Sequence, residues 1–316
     1  MKIVFLEPLG ISEGLLKEKV SAMVDTSQHE IIYHKDRRED IETLIERSKD
    51  ADIVVLSNFR YPKEVIEHCP SLKMICVAFT GVDHIDMDYC RQNNIDVCNC
   101  AGYSTSAVAD IVFAMTISLA RNIIPCNEKV RDSGTKDGLV GFELDGKVFG
   151  IIGAGAIGTR VAKIANAFGC RVLAYSRTKK ELPDVKFVSF DELLKESDII
   201  SVHVPQTDET IGLIGKNELE LMKPTAILIN TARGPIVDSS ALADALHNGT
   251  IAAAGVDVFD CEPPIPDNEP LLAAPNTLLT PHIAFASQQA FEKRADIVAA
   301  NIAGWLRGTP QNLIGR

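Results

Sequence analysis

The chain has 316 residues, of which 46% are hydrophobic and 24% charged, and a formal net charge of −11 at pH 7. That length makes room for about two domains, and the composition is that of an ordinary globular protein. The acidic balance excludes nonspecific nucleic-acid binding, which needs a basic face, and requires any anionic ligand to be held by local charge. No apolar run reaches membrane-spanning length; the nearest, 107–120, contains Asp110. The opening strand, 2–6, is ended by Glu7 and Pro8 and is too short for a signal-peptide core, so a cytoplasmic protein is expected. Eight cysteines lie scattered among apolar residues, and Cys98-Asn99-Cys100 has the wrong spacing for a zinc pair. They read as reduced thiols, and no metal site is expected.

From the N-terminus the pattern alternates. Strands are expected over 2–6, 30–34, 52–56, 74–77 and 95–98, with helices over 14–23, 40–49 and 63–68. Such alternation implies a parallel sheet covered on both faces. Ser104, Thr105 and Ser106 offer helix caps before 107–121, a helix apolar on nearly every side and hence deeply buried. The stretch 123–141 reads as polar and irregular. Beyond it strands are expected over 148–152, 171–175, 199–203, 226–230, 253–258 and 277–280. Helices are expected over 159–168, 190–196, 216–222 and 239–248, and an amphipathic terminal helix over 291–306. The terminal helix is expected to cross back onto the first domain, which then spans 1–100 and 285–316, interrupted by a second domain over 101–284.

That inserted domain opens on Val148-Phe149-Gly150-Ile151-Ile152, a short apolar strand, followed by Gly153, Gly155 and Gly158 at the spacing G-x-G-x-x-G and then a helix. The first glycine permits a sharp turn, the second lets backbone N–H groups approach a pyrophosphate, and the third lets helix and strand pack closely. Ala156 and Ile157, between the glycines, and Gly158 lie just before the expected helix, whose N-terminus would offer its partial positive charge to the phosphates. NAD-binding versions of this unit carry an acid about 20 residues further on, for the ribose hydroxyls. Here the second strand ends in Ser176-Arg177-Thr178-Lys179-Lys180, with no acid and three cations. A 2′-phosphate wants such a cluster, with Arg its best fork, so NADP(H) is favoured, and NAD(H) stays possible.

Three polar residues follow three later strands, where open α/β sheets place ligands. They are Arg233 in Asn230-Thr231-Ala232-Arg233-Gly234, Glu262 after Asp257-Val258-Phe259, and His282 in Thr280-Pro281-His282-Ile283-Ala284. Arg233 can fork onto a substrate carboxylate and polarise the neighbouring carbonyl. His282 can give a proton to the carbonyl oxygen as hydride reaches carbon, while Glu262 balances its charge and fixes its ring. His203, in Val202-His203-Val204-Pro205, is the competing histidine and is read as shaping the cofactor pocket.

Together the glycine motif, Val202-His203-Val204-Pro205 with Thr210, Asn230 to Gly234, Gly255 to Phe259 with Glu262-Pro263, and Thr280 to Ala284 resemble the D-isomer-specific 2-hydroxyacid dehydrogenases. The resemblance runs through nearly the whole chain in order. It implies a Rossmann domain inserted into a smaller flavodoxin-like substrate domain, with a cleft between them. It implies Arg233, Glu262 and His282 as the catalytic set, Asp257 beside the nicotinamide carboxamide, and a homodimer built around the helix from Ala107. On the cofactor side it adds His203, Val204, Pro205, Thr210, Thr231, Ala232 and Ala284. The segment Phe79-Thr80-Gly81-Val82-Asp83 resembles the family's substrate-carboxylate loop, giving Thr80, Gly81 and Val82, with Asn58 nearby, as substrate residues.

The glycerate dehydrogenase and glyoxylate–hydroxypyruvate reductase branch fits best. The loop Ser57-Asn58-Phe59-Arg60 places Arg60 out of register for a phosphorylated substrate, and Phe59, Phe79 and Phe285 suit a small 2-oxo acid. The reaction implied is hydride transfer between NAD(P)H and a small 2-oxo acid, giving a D-2-hydroxy acid. D-lactate and phosphoglycerate dehydrogenases are alternatives within the family, as is a nicotinamide-sensing corepressor. Formate dehydrogenase would want Gln in place of Glu262.

Overall fold

Two runs of alternating strand and helix close into two parallel sheets. The computed structural model describes residues 1–178 and 180–315. Lys179, counted in the basic cluster above, lies outside the described residues. The chain divides into one unit of Met1–Ser104 with Ala286–Arg316, and a second of Thr105–Phe285.

The first unit runs β1 (Lys2–Phe5), α1 (Glu13–Ser21), β2 (Glu30–Tyr33), α2 (Ile41–Ser48), β3 (Ile53–Leu56), α3 (Lys63–Ile66), β4 (Met74–Val77), α4 (Met87–Gln92) and β5 (Asp96–Cys98). Its five strands are ordered β2-β1-β3-β4-β5, the flavodoxin-like order. β3 and β4 are buried at every residue, which is why they read as unbroken apolar runs. The terminal helix of the chain belongs here and packs on α1 and β4. Its Asn301 donates to Asn99 O at 2.8 Å, and its Trp305 Nε1 to Asp96 Oδ2 at 2.8 Å.

The second unit begins with α5 (Thr105–Ala120) and α6 (Ile123–Arg131), then β6 (Val148–Ile152), α7 (Ala156–Ala167), β7 (Arg171–Tyr175) and β8 (Val185–Phe187). It continues through α8 (Phe190–Glu196), β9 (Ile199–Val202), α9 (Lys216–Leu221), β10 (Ile227–Asn230), α10 (Ser239–His247), β11 (Ala253–Val256) and β12 (Thr277–Leu279). The terminal helix is α11 (Gln288–Leu306). Seven strands lie in the order β12-β11-β10-β9-β6-β7-β8, a doubly wound Rossmann sheet whose direction of winding reverses at β6. α5 packs on α7, β10 and β11, and its Phe113 stacks on Phe149 and Phe168 at 5.5 and 5.3 Å between ring centroids.

Several boundaries differ from expectation. The region 123–141, read as irregular, contains α6. A left-handed Asn122 (φ 52°) separates it from α5, Pro125 stands in its first turn, and none of its residues is buried, so its few apolar residues do not mark a core-facing stripe. β8 and α4 were not foreseen; three and six residues are too few for a legible pattern. α7 starts three residues earlier than expected, because Gly155, not a side chain, occupies its cap.

The same device fixes the first strand of each sheet. Asp52, just before β3, accepts from the N–H of Lys2 at 2.8 Å and from Lys73 Nζ at 2.6 Å. Asp198, just before β9, accepts from the N–H of Val148 at 2.9 Å and from Lys223 Nζ at 2.8 Å. In each, burial acts to raise the carboxyl pKa, but the lysine and the backbone donor outweigh it and hold the group below the usual carboxylate range. A depressed native pKa means stabilisation that is complete above the unfolded value and lost as pH falls through the native one. Asp198→Asn should lower the unfolding free energy by about 1–3 kcal/mol near neutrality, read by urea denaturation. The gap to the native sequence should close in acid; a gap that acid leaves unchanged would contradict the assignment.

Candidate active site

The turn from β6 into α7 is glycine-rich and open at the helix N-terminus. Gly153 takes φ 101°, and a Cβ there would lie 2.6 Å from His203 O, so only glycine makes this turn. α7 follows with no side-chain cap at Gly155, so its first N–H groups are left for a ligand. A Cβ at Gly155 would meet no atom within 4 Å: the space beside the helix end is open on that side. Ala156, Ile157 and Gly158 form the first turn, with Gly158 buried.

Residues beyond β9 face the same end of the sheet. The N–H of His203 donates to Ile152 O at 2.7 Å, and its Nε2 meets Ser201 Oγ at 2.9 Å. Desolvation pushes the pKa of His203 down to about 3, so the ring is neutral at any physiological pH and does not cycle protons. Thr210 Oγ1 donates to Pro205 O at 2.7 Å and accepts from the N–H of Thr207 at 2.8 Å, bracing the turn after Val204 and Pro205. Beyond β7, Ser176 is half-buried, Arg177 and Thr178 are exposed, and Arg177 Nη1 donates to Glu209 Oε2 at 2.7 Å. The Oγ1 of Thr231, just past β10, is buried with no hydrogen-bond partner among the described residues. An open helix N-terminus and an unsatisfied hydroxyl on one sheet end fit a dinucleotide.

Arg233, Glu262 and His282 follow β10, β11 and β12, three adjacent strands at one edge of this sheet. Glu262 and His282 meet directly: Nδ1 lies 2.5 Å from Oε1, and Glu262 Oε2 accepts from the N–H of Phe259 at 3.2 Å. A carboxylate on Nδ1 fixes the tautomer and leaves proton transfer to Nε2. His282 itself sits in the left-handed region (φ 52°), its N–H bonded to Asp257 O at 2.7 Å. Its ring meets Phe285 edge-on, with centroids 5.5 Å apart.

Arg233 reaches this edge through Gly234, where a Cβ would lie 2.1 Å from the carbonyl carbon of Phe259; glycine alone lets the two loops touch. Asn230, 1% exposed, staples the turn, donating to Arg233 O at 2.9 Å and accepting from the N–H of Ala232 at 3.0 Å. Arg233 Nη1 donates to Ala232 O at 2.8 Å. Asp257 is fully buried. Its Oδ1 accepts from Thr280 Oγ1 (2.5 Å) and the N–H of Ile283 (2.8 Å), and its Oδ2 from the N–H of Ala284 (2.8 Å). Burial raises its pKa, and those donors offset part of the rise. Asn230 and Thr280 were not singled out from sequence, though both lie inside quoted motifs.

In the other unit Asn58 follows β3, and Thr80, Gly81 and Val82 follow β4. Asn58 Oδ1 accepts from Arg37 Nη1 at 2.8 Å, and Arg37 also reaches the buried Glu7 at 3.2 Å. Sequence reading considered Arg60, which is exposed, and missed Arg37, which arrives from the far end of β2. Phe59 and Phe79 are core residues. Cys261, beside Glu262, is exposed.

A nucleotide cradle and an Arg–Glu–His set on one sheet define a nicotinamide-dependent oxidoreductase. The family model for the D-isomer specific 2-hydroxyacid dehydrogenase, NAD binding domain, matches residues 113–284. A glyoxylate reductase of Thermococcus litoralis is 42% identical, over 86% of each chain. A hydroxypyruvate reductase of Blautia hydrogenotrophica is 35% identical over the whole of both chains. An acyclic imino acid reductase solved in complex with NADPH and D-arginine superposes with a TM-score of 0.91 at 33% identity, over the whole of both chains. The chain belongs to the D-isomer-specific 2-hydroxyacid dehydrogenases, enzymes that use a nicotinamide cofactor.

His282→Asn tests the proton donor cleanly, because Asn also tolerates the left-handed backbone. Turnover should fall by about 10²- to 10⁴-fold with cofactor affinity nearly unchanged, measured by steady-state rates and cofactor titration. Rates equal to those of the native sequence would remove His282 from the chemistry.

Proposed function

We propose that the enzyme reduces a small 2-oxo acid, of the glyoxylate or hydroxypyruvate kind, to the D-2-hydroxy acid, with NADPH preferred to NADH. The observation that carries this is the His282–Glu262 bond beside Arg233 on one sheet edge. The names of the relatives, glyoxylate reductase and hydroxypyruvate reductase, support the substrate class.

When bound, the reduced nicotinamide supplies a hydride to C2 of the 2-oxo acid. Arg233 forks onto the substrate carboxylate and draws electron density toward the carbonyl oxygen. His282 gives its Nε2 proton to that oxygen as the C2–H bond forms, and the hydroxy acid results. Glu262 holds Nδ1 throughout, so the ring keeps one orientation in both protonation states. In the reverse direction His282 takes the proton back.

On the cofactor side the reading assigns Gly153, Gly155, Ala156, Ile157 and Gly158 to the pyrophosphate. Ser176, Arg177 and Thr178 take the adenosine ribose and its 2′-phosphate, and His203, Val204, Pro205 and Thr210 the wall beyond β9. Thr231, Ala232, Asp257 and Ala284 support the nicotinamide. The absence of an acid at Ser176, with Arg177 next to it, supports the NADPH preference. Asn58, Thr80, Gly81 and Val82 are assigned to the substrate. No single helix among the described residues is long and apolar enough to cross a membrane. The reading takes the enzyme to be cytoplasmic. The exposed Ile123, Ile124 and Val130 of α6, 46%, 47% and 72% accessible, support a homodimer built on α5 and α6.

Initial rates of NADPH and NADH against glyoxylate, hydroxypyruvate, pyruvate and a bulky branched 2-oxo acid test it. The expected optimum is NADPH with one of the first two. An optimum on the branched acid, or no turnover with any, would overturn the substrate assignment.

A further inference from the structure

Arg177 and Glu209 stand on opposite sides of the nucleotide crevice. Arg177 lies two residues past the end of β7, and Glu209 lies in the turn 205–210 after β9. β7 and β9 are the two neighbours of β6, so they are about 10 Å apart. The 2.7 Å bond between Arg177 Nη1 and Glu209 Oε2 therefore spans the end of β6, where the glycine turn begins. Glu209 is held there by the braced turn: Thr210 Oγ1 bonds Pro205 O and the N–H of Thr207. The two side chains are 70% and 71% accessible, so a ligand can reach both.

We propose that Glu209 competes with the cofactor's 2′-phosphate for Arg177 and so sets how far the enzyme distinguishes NADP(H) from NAD(H). This rests on the assignment of Arg177 to the 2′-phosphate. A phosphate monoester carries close to two negative charges and takes an Arg fork through two nitrogens. Glu209 already holds one of them. To bind NADP(H), the enzyme must turn Glu209 away or keep a carboxylate beside the phosphate. An exposed ion pair is weak, so this biases the choice without blocking it. With NAD(H) the bias reverses. A ribose 2′-hydroxyl donates to a carboxylate, the part an acid at Ser176 would play, and Glu209 can supply it from across the crevice. No acid directly follows the second strand of this sheet; this one comes from the loop after the fourth.

The test is calorimetric binding of NADP⁺, NAD⁺, 2′,5′-ADP and 5′-AMP, without turnover. Glu209→Gln keeps size and removes charge; it should tighten NADP⁺ and 2′,5′-ADP by about fivefold and leave NAD⁺ and 5′-AMP unchanged or slightly weaker. Arg177→Ala should weaken NADP⁺ about tenfold or more and NAD⁺ by much less. In the Arg177→Ala background, Glu209→Gln should give less than the fivefold gain, because the shared partner is gone. Selective weakening by Arg177→Ala with no change on Glu209→Gln would overturn the role of Glu209 and leave the NADP assignment standing. Equal weakening of NADP⁺ and NAD⁺ by Arg177→Ala would overturn both.

Discussion

The bond from His282 Nδ1 to Glu262 Oε1 is the interaction on which the proposed chemistry depends, and the structure around it is built to hold it. The two residues follow adjacent strands, but adjacency alone leaves a loop free to wander. Asp257 removes that freedom. It is buried at the end of β11, and its carboxylate collects Thr280, Ile283 and Ala284, both sides of His282. Its carbonyl takes the N–H of His282. A left-handed backbone costs a non-glycine residue about 1–2 kcal/mol, and these bonds are what hold it there. The strain aims the imidazole at Glu262.

The sheet order explains why one unit can hold both the cofactor cradle and the acid–base set. Winding reverses at β6, which opens a crevice over its C-terminal end. The remaining strands, β9 to β12, extend from there in one direction. Arg233, Glu262 and His282 come from the last three, so they lie to one side of the crevice and at the same end of the strands. In the proposed binding mode, a dinucleotide with its pyrophosphate at α7 and adenosine toward β7 extends its nicotinamide toward that side. The protein carries a net charge of −11, yet the residues at the phosphate end are a glycine turn, helix N–H groups and Arg177. The proposed anion binding is therefore local, made by backbone dipoles and a neighbouring guanidinium, and owes nothing to the overall charge.

What was legible in the sequence was whatever is written locally. The two α/β runs, the glycine turn and the three strand-end motifs each fit within a short window. The parts that were not legible depend on contacts between segments far apart. Arg37 meets Asn58, and Arg177 meets Glu209, only because parallel strands bring their C-terminal ends together. No spacing rule connects such pairs. α6 failed for another reason. Its apolar residues are few, Pro125 interrupts them, and none meets the core that helical periodicity usually records. Asn230 and Thr280 sat within recognised motifs, but nothing in a motif says which polar side chain points at substrate and which turns back to hold the chain.

The two histidines at strand ends show how surroundings, and not residue type, assign a role. His203 and His282 both follow a strand of the same sheet and both have a side-chain partner. His203 meets a serine hydroxyl, and burial without a countercharge drives its pKa to about 3. A ring in that state is a neutral wall that can give or take a hydrogen bond but cannot carry a proton through a cycle. His282 meets a carboxylate, which is itself held by the N–H of Phe259. Only the second arrangement can accept the charge that proton exchange at Nε2 creates and removes. In the proposed reaction the choice between the two histidines is therefore made by what sits on the other ring nitrogen.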